Sequence, residues 1–344
     1  MTQPAYLFEP RNDAVRLLEE ELSDKSSTSL EEPLSNLDPE LWQRALFGPL
    51  TDFLGRPGKE FRAHLVRLCW ELAGRRQPPP PELPLLVEVL HAGSLIVDDI
   101  EDGSAYRRGG PALHVKYGVP IALNAANWLY FWPARLLSRL ELPPATELAL
   151  HRVIGRTLLA CHEGQALDVA TRVSELDQLH VPRVVRNTTL LKTGKLFELA
   201  ASIGAIAGGA PSSTVRVLAE FGRELGAGLQ MLDDLGGLTS QKRCHKGHED
   251  LIQGRATWPW AWAAERLPRA SYQRLLPLSR EVVAREVHPE HLAIELVKAV
   301  GADAKQRVSQ HLKDALNQLS RALEPSRAFD ELSREISHLE ASYG

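Results

Sequence analysis

Apolar residues recur at intervals of three and four along almost the whole chain. That spacing restricts the fold more than any other feature of the sequence. DAVRLLEEEL, FRAHLVRLCWELAG and STVRVLAEFGRELGAGLQMLDDL each carry a stripe on one face of a helix. No run alternates convincingly as a half-buried strand does. The stripes break at GRPG (55–58), RRQPPPPELP (75–84), LPPAT (142–146) and GGAPSSTV (208–215), where proline and glycine end helices. The proline run at 78–81 reads as a stiff connector between helices. Ser212, Ser213 or Thr214 is placed to cap the helix that follows. The expectation is one all-α domain over residues 1–344, with a peripheral N-terminal segment (1–40) and a helical tail (260–344).

Composition narrows the class. With 344 residues, 44% of them hydrophobic, the chain can bury a large core. A net charge of −4 gives no basic face for nucleic acid. Cys69, Cys161 and Cys244 are scattered without paired spacing, so a reduced, cytoplasmic setting is expected rather than a disulfide framework. MTQPAYLFEPRND lacks the charged and apolar regions of a leader, and no apolar run is long enough to span a membrane.

The chemistry is concentrated in LIVDDIEDGSAYRRGGPALH (95–114). Four carboxylates occupy five positions, Asp98, Asp99, Glu101 and Asp102, and Arg107 and Arg108 follow at once. On a helix Asp98 and Asp102 share a face with Glu101 beside them, whereas Asp99 turns about 100° away. Acids on one face suit Mg²⁺, which takes one or two carboxylates and leaves its other positions to water and phosphate. By themselves they fit a solvated acidic face equally well. A second acidic helix end, LQMLDDLGG, places Asp233 and Asp234 after a long apolar stripe. Two such ends facing each other would wall a cleft with carboxylates, as facing helices do in bundle metal sites. Lysines and arginines accompany both, in GKEFR, RRGG, LKTGK and HKGHEDLIQGRATWP. Each alone reads as a surface charge; together with the acids they are what diphosphate binding requires.

From about PGKEFR to GRATWP, residues 57–259, the sequence resembles the trans-prenyltransferases, or polyprenyl synthetases, which are all-α isoprenoid synthases. HAGSLIVDDIED, RRGGPALH, YGVPIALNAANWLYF, HEGQALD and KTG look most like the short-chain geranylgeranyl diphosphate synthases of the eukaryotic type. The resemblance implies that Asp98 and Asp102 hold Mg²⁺, that Asp233 holds a third ion, and that the protein is a homodimer. It assigns Lys59, Arg62, His91 and Arg108 to an isopentenyl diphosphate site. It assigns Arg107, Lys192, Thr193, Gln230, Lys246 and Arg255 to an allylic diphosphate site, with Lys192, Thr193 and Gln230 also acting on the developing cation. Arg255 stands where the family usually has Lys, Leu229 where it has Phe, and Gly237 where the second motif usually ends in Asp; the geranylgeranyl synthases also lack that Asp.

The implied activity is Mg-assisted ionisation of an allylic diphosphate (dimethylallyl, geranyl or farnesyl), followed by head-to-tail (1′-4) attack by isopentenyl diphosphate. Gly93 and Ser94, small where farnesyl-making relatives carry aromatics, argue for a tunnel open to a C20 product, with Tyr130 or Phe131 as the stopper. Two other readings stay open: a class I terpene cyclase, which needs no second diphosphate site, and a catalytically silent regulatory subunit. His162 and Asp168 read as helix packing; Cys244, His245 and His248 read as loop residues without a zinc set; WPWAW (258–262) reads as core or dimer packing.

Overall fold

A computed structural model describes residues 10–23, 39–240 and 244–343. The described chain is a bundle of long helices. Its one piece of β-structure is a ribbon of two-residue strands, Tyr106–Arg107 and Gly110–Pro111, paired antiparallel. Each of the four expected breaks spans a gap between helices, and the last three run into the first turn of the helix that follows. Residues 1–9 and 24–38, part of the N-terminal segment, lie outside the described residues. Within that segment the helix Pro10–Ser23 buries Leu17 and Leu18 in the common core.

The axis of the bundle is the helix Lys195–Ala207, whose residues are nearly all buried. The helices Phe61–Leu72, Glu82–Asp102, Pro144–Ala170 and Ser212–Thr239 pack around it. An apolar side chain such as Leu199 or Ile203, both fully buried, contributes roughly 1.5–3 kcal/mol when taken from water. Glycine lets two of these helices close in. A Cβ at Gly204 would sit 2.2 Å from the Val66 carbonyl oxygen, and one at Gly222 would sit 2.5 Å from that of Phe197. The aromatic run WPWAW is core: Trp260 is fully buried, with Trp258 and Trp262 nearly so.

Two local expectations are corrected. The helix Ser212–Thr239 begins at Ser212 with Pro211 in the cap position and no side-chain cap bond; proline presets the entry without a hydroxyl acceptor. Cys244, His245 and His248 lie on a helix, Cys244–Ile252, not in a loop.

One feature that periodicity does not reveal is a π-helical turn, Leu190–Gly194, between the helices Val181–Thr189 and Lys195–Ala207. Such turns re-aim side chains by about one position and gather at functional sites. This one carries Lys192 and Thr193.

Candidate active site

The helix Glu82–Asp102 ends on Gly103, whose left-handed backbone (φ 65°) lets its N–H donate to the Asp99 carbonyl. A helix C-terminus carries partial negative charge, so carboxylates in its last turn raise the local energy unless cations sit among them. Here they do. Arg107 reaches back from the ribbon, with Nε 2.7 Å and Nη2 2.5 Å from Asp99 Oδ1 and Nη2 3.6 Å from Asp98. Lys192 lies 2.5 Å from Asp168 and 3.6 Å from Asp98. Arg255, 5% exposed, donates to Asp102 at 2.6 Å and to the Asp168 carbonyl. Lys246 reaches Asp233 at 3.0 Å from the helix Cys244–Ile252.

Arg107, Lys192, Lys246 and Arg255 and all of their carboxylate partners except Asp99 line one cavity of about 690 Å³, within the ~300–1,000 Å³ range of ligand pockets. Asp98 and Asp102 stand on its wall together with Asp233 and Asp234, so the two acidic helices do face each other. Asp99 differs from its neighbours as the 100° rotation requires: it is fully buried and lies outside the lining.

Charge follows from this crowding. Burial alone would raise Asp98, but Lys192, Lys246 and Arg107 overcome it and hold the carboxyl below its usual range. Asp102 goes the other way, raised by burial and then by the Asp98 charge. Burial pushes Asp234 up to about 6, although the Trp258 backbone N–H and the Gln230 amide both donate to it. Asp233 and then Asp250 raise Lys246, which stays an ammonium.

A second cation set lines the same cavity. Lys59, Arg62, Arg108 and His91 come from the loop after GRPG, the helix Phe61–Leu72, the ribbon turn and the acidic helix. Arg62 lies over the Phe197 ring at 4.5 Å and Arg108 over Phe53 at 5.5 Å, contacts that fix each guanidinium without neutralising it. His91 is held neutral, first by burial and then by Arg62 and Arg108; its Nδ1 is buried and has no hydrogen-bond partner among the described residues. Between the two sets, Thr193 Oγ1 donates to Gln230 Oε1 at 2.7 Å, and Gln230 Nε2 donates to Asp234 Oδ1 at 2.7 Å.

The donor set fits divalent ions. Asp98, Asp102 and Asp233 present oxygens to the cavity, and their present counter-charges are lysine and arginine side chains. No group of three or more acids, histidines or cysteines is gathered closely enough to chelate an ion by itself among the described residues. Mg²⁺ behaves accordingly, binding through one or two carboxylates and completing its shell with water and substrate phosphate.

Of the two chain-length residues expected before Asp98, Ser94 lines the cavity and donates to the His91 carbonyl. Gly93 does not line it; a Cβ there would meet the Ala126 carbonyl at 3.0 Å, so the glycine serves the approach of the helix Val119–Ser138. Tyr130 lines the cavity with His162 edge-on to its ring at 5.4 Å, whereas Phe131 is 76% exposed on the outside. Neighbours on a helix point about 100° apart, so only one of the two can face inward. His162 and Asp168, expected as packing, belong to the cavity wall. The sequence reading missed Gln165, which donates to Asp98 and Glu101. It also missed Glu88 and Asp250 in the lining, and Arg56, which donates to the carbonyls of Arg107 and Pro111 and so holds the ribbon. Gln165 and Asp168 had a signal: three apart in HEGQALD, they share a helix face.

The polyprenyl synthetase family model matches residues 43–288, which include every cavity-lining residue except Leu339. The chain belongs to the polyprenyl synthetase family. A geranylgeranyl pyrophosphate synthase of Eremothecium gossypii is 33% identical over 236 residues, 65% of this chain and 72% of that one. A geranylgeranyl diphosphate synthase of Sulfolobus acidocaldarius is 33% identical over 190 residues, 54% of this chain and 56% of that one. The solved geranylgeranyl pyrophosphate synthetase of Pyrococcus horikoshii superposes with a TM-score of 0.72 over 96% of this chain and 99% of its own, at 22% identity, a likeness of fold. The all-α isoprenoid synthase architecture is therefore this family member's own. No helix among the described residues is long and apolar enough to cross a membrane.

Proposed function

We propose that this polyprenyl synthetase condenses an allylic diphosphate with isopentenyl diphosphate, head to tail, and that its product is geranylgeranyl diphosphate (C20). One observation carries the reading: two distinct cation sets share one cavity. Arg107, Lys192, Lys246 and Arg255 are interleaved with aspartates, while Lys59, Arg62 and Arg108 surround a neutral histidine with aromatic rings behind two of the arginines. A cyclase ionises one diphosphate and has no use for the second set.

The aspartate-bearing set takes the allylic diphosphate. Asp98, Asp102 and Asp233 would hold Mg²⁺, three ions by the family resemblance, which supplies Lewis-acid neutralisation of the leaving group. As the diphosphate enters, Lys192, Lys246, Arg107 and Arg255 transfer their hydrogen bonds from carboxylates to phosphate oxygens. They then stand where negative charge grows as the C1–O bond breaks. The electron pair leaves with the diphosphate and an allylic cation remains. Thr193 and Gln230 present oxygen dipoles beside it, and the Gln230 amide is kept in that sense by its bond to Asp234. The isopentenyl alkene, held by Lys59, Arg62, His91 and Arg108, attacks C1. The new bond leaves a tertiary cation, which loses a proton to the released diphosphate. The apolar part of the lining, Leu95, Val97, Leu158, Leu196 and Phe197, shields the hydrocarbon and its cation from water on that side.

Product length is set where the hydrocarbon meets Tyr130 and His162. A C5 unit gains about 4 kcal/mol at roughly 0.8 kcal/mol per buried methylene, and nothing if a ring blocks it. Phe131 is exposed instead, as are Val119 and Leu123 on the same helix. Exposed apolar side chains of this kind are what the proposed homodimer would cover.

Incubation with Mg²⁺, farnesyl diphosphate and radiolabelled isopentenyl diphosphate tests the reading by chromatography. Label in a C20 product is expected. An unlabelled hydrocarbon would indicate a cyclase, and no turnover a silent subunit.

A further inference from the structure

The helix Phe61–Leu72 carries Arg62 in its first turn, and its own sequence does not cap it. Glu60, at the cap position, is in the left-handed region (φ 51°) and makes no side-chain cap bond. The first-turn N–H groups of a helix need acceptors from elsewhere. One comes from across the bundle: Glu88 Oε1 accepts the Ala63 N–H at 3.0 Å. Glu88 lies 25 residues away, on the helix Glu82–Asp102, one turn before His91 and on the same face. It lines the cavity and stands in the field of both Arg62 and Arg108.

We infer that Glu88 is a positioning residue for the second diphosphate subsite: by capping the helix Phe61–Leu72 from the acidic helix, it fixes Arg62 relative to His91. The inference rests on the assignment of that subsite to isopentenyl diphosphate. A carboxylate in the wall of an anion site repels the ligand, and burial raises the cost of its charge further. Its presence there is explained by what it accepts. The Ala63 bond ties the only two helices that contribute to this subsite, and it is made by the acid's oxygen rather than by its charge alone. The remaining charge offsets part of the repulsion among Lys59, Arg62 and Arg108 before a ligand arrives.

The acceptor role separates two conservative variants. Glu88→Gln keeps an oxygen at the same reach; Glu88→Asp keeps the charge and withdraws the oxygen by one methylene. The test is calorimetric titration of isopentenyl diphosphate into metal-free protein, together with KM for each substrate under turnover and Tm for each variant. Glu88→Asp and Glu88→Ala are expected to raise the isopentenyl diphosphate Kd and KM tenfold or more, with KM for farnesyl diphosphate within twofold of wild type. Glu88→Gln is expected within threefold on all of these. If the farnesyl KM rises in step, or Gln is as poor as Asp, the residue is structural or purely electrostatic and the inference falls. If Glu88→Ala does not fold, the Gln and Asp pair decides alone. Wild-type protein that binds isopentenyl diphosphate without metal but never turns it over would refute the proposed reaction and leave the Glu88 comparison readable. Wild-type protein that does not bind it would overturn the inference.

Discussion

The two acidic helices carry similar motifs and end differently. In Glu82–Asp102 the aspartates occupy the last turn, and the chain leaves through Gly103 into the ribbon that returns Arg107 to them. In Ser212–Thr239 the pair Asp233–Asp234 comes earlier, and the helix continues through Gly236 and Gly237 beneath another helix. A Cβ on Gly237 would sit 3.0 Å from the Gly247 Cα, and a Cβ on Gly247 only 2.3 Å from the Gly237 carbonyl oxygen. The contact is backbone against backbone, and it sets Lys246, one residue before Gly247, over Asp233. The first helix end thus offers two acids a turn apart. The second offers Asp233, with Asp234 beside it taken up by Gln230 and the Trp258 N–H, and a turn further on, in place of another acid, a helix crossing that delivers a lysine.

The largest expected effects come from removing the cavity-facing acids. Asp98→Asn and Asp233→Asn should each lower kcat/KM for the allylic substrate by 10²–10³ or more, measured by label incorporation, with little change in Tm. Asp99→Asn should do the opposite in stability. It breaks the pair between fully buried Asp99 and partly buried Arg107, a loss of about 2–3 kcal/mol, below the ~3–5 kcal/mol of a wholly buried pair, visible in denaturant unfolding. A large Tm loss for Asp98→Asn, or none for Asp99→Asn, would reverse the roles assigned to these neighbours.

Gly237→Asp sharpens the contrast between the helices. If position 237 were merely short of a metal ligand, the new acid would raise activity. Because Gly247 occupies the space, the substitution should cost about 1–3 kcal/mol in unfolding and lower kcat.

These distinctions mark where the sequence stops being legible. Spacing of three and four located the helices, their breaks and the shared face of Asp98 and Asp102, because those are properties of one helix. It did not reveal that Phe131 points outward and Tyr130 inward, since a 100° difference between neighbours is settled only by which helix packs alongside. The smallness of Gly93, expected to open the tunnel, serves a helix contact, and the two uses look identical in a sequence. The π turn at Leu190–Gly194 interrupts no apolar stripe. Glu88 and Arg56 act on backbone groups 25 and more than 50 residues away, and such partners leave no local pattern.

A smaller effect is expected on product length. Tyr130→Ala should shift part of the product beyond C20 on reversed-phase chromatography, while Phe131→Ala should leave it at C20. The smallest concerns the ribbon beside the first helix end. Asp52 accepts from Arg56, Lys116 and Tyr117, and Arg56 holds the ribbon carbonyls. Burial alone would raise the Asp52 carboxyl, but these three partners hold it below its ordinary value of 3.8. A lowered folded-state value stabilises the protein above the unfolded one and is lost as pH falls through the folded one. Tm should therefore drop more steeply below about pH 4 in wild type than in Asp52→Asn, by differential scanning calorimetry.

The most direct test of the shared site is the number of Mn²⁺ ions bound per chain, read by electron paramagnetic resonance with and without a non-ionisable allylic diphosphate analogue. If both helix ends grip one metal–diphosphate assembly, the analogue raises the bound Mn²⁺, and Asp98→Asn and Asp233→Asn each lower that gain. A gain that survives intact in either variant would mean that the two acidic helices do not act on the same ligand.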